Sequence, residues 1–257
     1  MSDISIKSDF EIGLMRESGR RLALVMEKII DAIHPNVSTW EIDKLAEKMI
    51  FELDGEPSFK GYGDGENSFP ATICASINEE IVHGIPTKSR ILKDGDIFKI
   101  DIGMKYKGWH SDMARTVAVG EVDKNTQKII KVVRSAFYKG VSVIKEGKTL
   151  DNYSKAVQKF VEKEGFSVVR NLVGHGIGRE LHENPQIPNY FDKKKNKFKL
   201  KRGMTFALEP MINAGKHETI LSNDGWTFKT ADNSLSAHWE NTVAITKNGV
   251  EILTEIE

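Results

Sequence analysis

The chain has 257 residues, and its 37 basic residues balance 37 acidic ones, so the composition gives no support to binding nucleic acid through the whole surface. Hydrophobic residues make up 39% and charged residues 29%, which indicates a globular protein with a full core and excludes a disordered chain. The single cysteine excludes an internal disulfide, and no signal peptide or membrane-length apolar run is present, which favours a cytoplasmic protein.

Two capping boxes predict two helices in the first part of the chain. In Ser8–Glu11 and in Ser38–Glu41, a serine hydroxyl and a glutamate three residues later can satisfy each other's backbone N–H groups. The first helix should end near His34-Pro35, because the residue before a proline disfavours helical backbone. The second should end at Asp54-Gly55, where glycine is a natural stop. A similar helix pair is predicted over residues 125–143 and 150–164, the second ending at Gly165.

Strands are predicted between and after the helix pairs, at residues 97–104, 114–119, 205–209 and 241–246. The order of helix pair, sheet, helix pair and sheet indicates a weak internal repeat. Each half supplies one histidine and two acids in the same order: His83, Asp101 and Asp112, then His175, Glu209 and Glu240. We therefore expect one domain over residues 1–257, built from two related halves at about 8–120 and 121–250 that bring both sets to one cleft.

The segment from Asp96 to Val119 is predicted to be a hairpin. If its tip lies between Tyr106 and Lys107, Asp101 and Asp112 are directly opposed, with β carbons about 5 Å apart. Two buried carboxylates at that distance repel each other unless one is protonated or a cation lies between them. The alternative is a shifted register with both acids in solvent.

Glu209 and Glu240 border apolar strands, and His175 lies between two glycines that allow close approach of the backbone. A lone acid at such a place often only ends a strand. Four acids and one imidazole together suit two divalent transition ions that share bridging carboxylates. Sites of this kind hold their ions roughly 3.5 to 4 Å apart and generate hydroxide at neutral pH.

The candidate metal ligands are Asp101, Asp112, His175, Glu209 and Glu240, which lie in the segments DIG, SDMARTVAVG, VGHGIGRELHENP, ALEPMI and HWENTVA. In these segments they resemble the metal ligands of bacterial type I methionine aminopeptidases, which belong to the pita-bread metallopeptidase family. The resemblance implies an α+β pita-bread fold, with two pseudo-twofold-related αβ halves around a curved, mostly antiparallel sheet and a central dinuclear metal site. It implies a hydrolase that removes the initiator methionine from nascent proteins when the second residue is small. A metal-bridging hydroxide would attack the scissile carbonyl, and the two divalent ions would be cobalt, manganese, iron or zinc.

The same resemblance assigns roles to further residues. His83 would contact the scissile amide nitrogen, His182 the carbonyl oxygen, and Glu209 would pass a proton to the leaving amine. The methionine pocket would be formed by Tyr62, Phe69, Cys74 and Trp226. Without the resemblance, core packing also explains the four pocket residues, and a solitary histidine is more often a surface or packed residue than a catalytic one. The remaining histidines are expected to be structural, namely His34, His110, His217 and His238.

Two other functions are consistent with the same fold. One is an X-Pro aminopeptidase, whose relatives usually carry an additional N-terminal domain, and the other is a binding scaffold that has lost catalysis.

The basic segment Lys193–Arg202 is either a transient ribosome contact or, as we favour, an edge strand over residues 197–201 protected by its lysines. We expect a monomer that contacts no membrane and binds no specific nucleic acid.

Overall fold

The structure is a computed structural model that describes residues 4–63, 65–193 and 197–256. Its four helices are α1 (Asp9–Asp31), α2 (Thr39–Glu52), α3 (Lys124–Val141) and α4 (Asp151–Lys163). Both predicted capping boxes form, with Ser8 and Ser38 as the N-caps of α1 and α2. In α3 the cap is Asp123, whose carboxylate accepts hydrogen bonds from two backbone N–H groups of the first turn.

The strands are short except for a central hairpin and one long partner. In chain order, β1 to β15 are Glu56–Pro57, Ile73–Ile77, Glu80–Val82, Ile97–Tyr106, Trp109–Ala118, Ser167–Val168, Gly174–Gly176, Glu183–Ile187, Thr205–Leu208, Met211–Asn213, Thr219–Leu221, Phe228–Thr230, Ser236–His238, Glu240–Thr246 and Gly249–Ile252. A 3₁₀ turn at Gly65–Asn67 precedes β2.

Nine strands form one antiparallel sheet in the order β1-β4-β5-β14-β9-β7-β8, with β15 added to β14 and β2 added to β4. Two three-stranded sheets, β13-β10-β6 and β11-β12-β3, complete the fold. The central strands β4-β5 and β14-β9 come from the two predicted halves of the chain and meet at the β5-β14 pair. The division into two related halves stays a prediction.

The helices cover one face of the large sheet, and the predicted metal ligands lie on its other face. On β4, the fully buried Phe98, Ile100 and Ile102 belong to the core beneath α1 and α2. Because side chains alternate along a strand, Lys99 and Asp101 point to the opposite face. A second core packs α3 and α4 against β9 and β14, with Phe206 and Val243 at its centre. The sheet therefore has one apolar face and one face that carries the polar cluster.

The prediction of an edge strand over residues 197–201 was wrong. This segment forms an isolated bridge between Thr149 and Lys199, with Leu200 buried and its backbone N–H donating to the carbonyl of Lys148 at 2.8 Å. A single buried leucine anchors the segment, so the alternating lysines do not belong to an extended ladder. Residues 194–196 of the basic run lie outside the described residues. No helix in the described part of the chain is long and apolar enough to cross a membrane.

Candidate metal centre and substrate cavity

The hairpin β4–β5 carries two of the predicted ligands, but its register differs from the prediction by two residues. Tyr106 pairs with Trp109, so the turn residues are Lys107 and Gly108, with φ of 49° and 80°. A two-residue turn of this kind needs positive φ at both positions, and glycine adopts it without strain. Asp101 consequently pairs with Ala114 rather than with Asp112. The two aspartates are diagonal neighbours on the same face.

The two glutamates join this row from the other half of the chain. Glu240, the first residue of β14, pairs with Ala114, the residue that also pairs with Asp101. Its neighbour Asn241 pairs with Leu208, the last residue of β9, which places Glu209 beside Glu240. Four acids that are far apart in the sequence therefore meet on one face of the sheet.

His175 completes the predicted ligand set from β7. Its Nε2 lies 3.6 Å from Glu209 Oε1 and 3.9 Å from Asp112 Oδ2, and its Nδ1 lies 2.8 Å from the carbonyl oxygen of Gly176. That contact fits a proton on Nδ1 and leaves the Nε2 lone pair toward the acids. A β carbon at Gly176 would lie 2.1 Å from the carbonyl oxygen of Asn184, so the close packing expected around this histidine requires glycine.

The acids are almost inaccessible to water. Burial raises the pKa of Asp101 to about 7, and it raises the pKa values of Asp112, Glu209 and Glu240 well above the ordinary range, with the neighbouring negative charges adding to the effect. One oxygen each of Asp101, Asp112 and Glu240 has no hydrogen-bond partner among the described residues. Unpartnered buried carboxylate oxygens suit divalent cations, so these residues fit the metal that the sequence implies.

Two groups of side chains could each hold an ion. Asp112, His175 and Glu240 form one group and Asp101, His238 and Glu240 the other, with the ligand atoms of each within 4.8 Å of one another. Glu240 belongs to both. His238 was expected to be structural, and no local feature of the sequence singled it out.

Arg115, like His238, was not among the site residues predicted from the sequence. It is 8% exposed, and its guanidinium donates hydrogen bonds to the carbonyl oxygen of Glu240 at 2.6 Å and to Asn241 Oδ1 at 2.8 Å. The guanidinium also lies 4.3 Å from the centre of the Trp239 ring. Burial lowers the pKa of Arg115 to about 10, so it remains a cation at neutral pH, behind the acidic cluster.

The two histidines with predicted catalytic roles face the same cavity. The ring of His182 lies 4.3 Å from that of His175, and its Nδ1 is 2.5 Å from the Tyr62 hydroxyl. His83 follows β3 with a φ of 59°, a left-handed conformation that is uncommon outside glycine. Its ring contacts the edge of Trp226. Burial lowers the pKa of His83 to about 4, which makes it neutral at pH 7.

A cavity of about 110 Å³ lies beside the acids, and all the predicted pocket residues line it. Phe69 and Trp226 form an edge-to-face pair with centroids 5.2 Å apart, while Tyr62 is 41% exposed. Cys74 pairs with Asp101 across β2 and β4, and burial raises the pKa of its thiol well above the ordinary range. That shift is unfavourable for a nucleophile and agrees with a place in the wall. Leu181, which the sequence also placed near the pocket wall, lines the cavity, and Phe59 and Val82 are lining residues that the sequence did not indicate.

Comparison with known proteins gives consistent matches over the whole chain. The profile of metallopeptidase family M24 matches residues 13–247. The chain is 48% identical to methionine aminopeptidase 1 of Bacillus subtilis over 98% of this chain and 100% of that protein. Methionine aminopeptidase of Escherichia coli K12 is 43% identical, with 98% of this chain and 94% of that protein covered.

Solved structures of methionine aminopeptidases and of an Xaa-Pro dipeptidase also superimpose on this chain. Methionine aminopeptidase from Thermotoga maritima superimposes with a TM-score of 0.94 at 40% identity, covering 99% of this chain and 100% of that one. A Xaa-Pro dipeptidase from Bacillus anthracis superimposes with a TM-score of 0.75 at 25% identity. It matches 98% of this chain, which covers 62% of the dipeptidase.

Proposed function

The chain belongs to metallopeptidase family M24, and from that membership we propose that the cavity beside its acidic cluster is where an N-terminal methionine is removed from protein chains. The chain is a hydrolase that carries out this removal in a metal-dependent reaction, and its fold is the expected α+β pita-bread fold. The observation that carries the placement is one cavity lined by four acids, three histidines and an apolar wall. We further propose that the second substrate residue is small.

A divalent metal is the cofactor of this family, and we propose two ions per chain. Two ligand groups that share Glu240 support that number. When bound, such ions polarise a carbonyl and make hydroxide available at neutral pH. The ligands are mostly hard oxygens with some imidazole, a set that manganese, iron, cobalt and zinc all accept. Which of them is used in the cell follows from availability and from the balance of oxygen and nitrogen ligands.

We propose that His182 donates a hydrogen bond to the oxygen of the scissile carbonyl as negative charge develops there. The Tyr62 hydroxyl, 2.5 Å from Nδ1, can donate to that nitrogen and so keep the proton of the ring on Nε2. A neutral imidazole in this tautomer is a ready donor for an oxyanion. His83, on another segment of the cavity lining, would bind the scissile nitrogen.

Glu209 is proposed to carry the proton to the leaving amine. Its carboxylate lies between two imidazoles. Oε1 is 3.6 Å from His175 Nε2, and Oε2 is 3.9 Å from His238 Nε2. Because Glu209 lines the cavity beside the candidate metal groups, it can accept a proton from the attacking water and release it to nitrogen.

The apolar wall supports methionine as the side chain that enters the cavity. Aromatic edges from Phe69 and Trp226 and the sulfur of Cys74 provide polarisable contacts, which suit a thioether. An unbranched side chain can follow a narrow cavity of this size, whereas a charged side chain would lose its hydration without gaining a partner.

Metal-stripped protein should be tested with the peptides Met-Ala-Ser, Met-Lys-Ser and Ala-Pro-Ala, with and without Mn, Fe, Co and Zn, while the released residue is measured. We expect metal-dependent release of methionine from Met-Ala-Ser and little release from the other two. A His182→Ala variant should bind metal normally and lose most turnover, whereas His217→Gln, at a surface histidine, serves as the matched control. Release of alanine from Ala-Pro-Ala would instead assign the X-Pro specificity of the structural neighbours. No release from any peptide by metal-loaded protein would favour the binding scaffold.

The finer expectations about cellular context stay predictions. We propose that the protein acts on nascent chains, that it is a monomer in the cytoplasm, and that Lys193–Arg202 transiently contacts the ribosome.

A further inference from the structure

His238 is a buried imidazole beside the acidic cluster. Its side chain is 1% exposed, and neither ring nitrogen finds a partner among the described residues. Its Nε2 lies 3.7 Å from Glu240 Oε2 and 3.9 Å from Glu209 Oε2. A histidine that only filled the core would be expected to hydrogen-bond through at least one nitrogen.

The two distances are too long for hydrogen bonds. They match the separation of two ligands of one ion, because bonds of about 2.0 to 2.2 Å hold neighbouring ligand atoms roughly 3 to 4 Å apart. His175 has the same relation to the acids, at 3.6 Å from Glu209 and 3.9 Å from Asp112. The two histidines thus approach the cluster in an equivalent way from different strands.

The backbone holds His238 in this place. The residue ends β13 and pairs with Met211 of β10. The Thr116 hydroxyl donates to the carbonyl oxygen of His238 at 2.6 Å and accepts from its backbone N–H at 2.8 Å. Both backbone groups are held by one hydroxyl and the ring is enclosed, so the imidazole is positioned beside the carboxylates.

We propose that His238 is a sixth protein ligand of the metal centre. It binds the ion that Asp101 and Glu240 hold, whereas His175 binds the ion that Asp112 and Glu240 hold. The proposal rests on the two-ion centre of the proposed function and goes beyond it, because the resemblance assigned a single imidazole to the pair of ions. A second imidazole shifts the preference of the centre away from manganese and toward iron, cobalt or zinc.

Cobalt provides a direct test. Metal-stripped wild type, His238→Gln and the control His217→Gln are titrated with Co²⁺ and with Mn²⁺, and affinities are measured by calorimetry. Bound metal per chain is measured by elemental analysis, and imidazole N–H protons strongly shifted by the paramagnetic ion are counted by proton NMR. Wild type with two Co²⁺ should show two such resonances, and His238→Gln should lose one. Loss of a residue that only supports a metal ligand already costs roughly 10-fold in affinity. In that variant, the affinity for one of the two Co²⁺ ions should therefore fall by about 10-fold or more, with a smaller change for Mn²⁺.

The wild-type spectrum decides the question even if the variant does not fold. Two bound Co²⁺ ions with one shifted imidazole resonance would refute the role of His238 and leave the two-ion centre intact. Unchanged Co²⁺ affinity in a folded His238→Gln protein would do the same. Failure of the wild type to bind two ions would count against the proposed metal centre itself.

Discussion

Replacing Asp101 by asparagine should make the metal-stripped protein more stable at pH 8 and the metal-loaded protein less stable. Asp101 is 8% exposed, and one of its oxygens has no hydrogen-bond partner among the described residues. Burial raises its pKa from an ordinary value of 3.8 to about 7. Without a bound cation, the folded protein therefore holds a proton on this group that the unfolded chain releases at much lower pH.

The sign follows from proton linkage. Because the folded-state pKa of Asp101 is the higher one, its favourable contribution is complete below about pH 4 and is lost as the pH rises through 7. Between these values the free energy of unfolding should fall by about 1.4 kcal/mol per pH unit, and about three units amount to roughly 4 kcal/mol at pH 8. Asparagine does not titrate, so Asp101→Asn should escape this loss.

Urea unfolding in EDTA at pH 5, 6, 7 and 8 measures the effect. The stability difference between Asp101→Asn and wild type should grow with pH toward about 4 kcal/mol. Asp31→Asn, at an exposed aspartate that ends α1, is the matched control. Added Mn²⁺ should reverse the order, because an ion that binds only the folded state stabilises the protein with the better ligand. A metal-stripped wild type whose stability does not change between pH 5 and 8 would refute the reasoning.

Three further substitutions test the surroundings of the site. Tyr62→Phe removes the hydrogen bond to His182 and should lower kcat/KM by about 10-fold with metal affinity unchanged; an equal loss of metal affinity would contradict this. Arg115→Met removes the hydrogen bonds of the guanidinium to the carbonyl oxygen of Glu240 and to Asn241 Oδ1, and it should lower the free energy of unfolding by about 2 to 4 kcal/mol, with partial recovery in Arg115→Lys; a neutral result in urea unfolding would exclude the support role. Gly176→Ala places a β carbon 2.1 Å from a neighbouring carbonyl oxygen and should cost about 3 kcal/mol or prevent folding, as judged by thermal unfolding.

The sequence predicted what depends on neighbouring residues. The helix starts at Ser8 and Ser38 were identified because a capping box acts over four residues. The strand that carries Asp101 and the strand that begins beside Glu240 were identified because alternation and β-branched runs are local properties. The resemblance then indicated which of the many acids belong to a metal centre, a conclusion that alternation alone does not allow.

The tertiary structure decided what depends on strand pairing, both in the central hairpin and between distant segments. The choice of Lys107 and Gly108 as turn residues shifted the hairpin register by two, so that Asp101 and Asp112 are diagonal neighbours. His238 stands next to the acids because β13 pairs with β10, and Arg115 of β5 reaches Glu240 on the adjacent strand β14. Neither side chain has a local signature, since its environment is built by strands that are separated along the chain. Strand pairing brings such residues together, and its register is determined by the packing of the whole sheet.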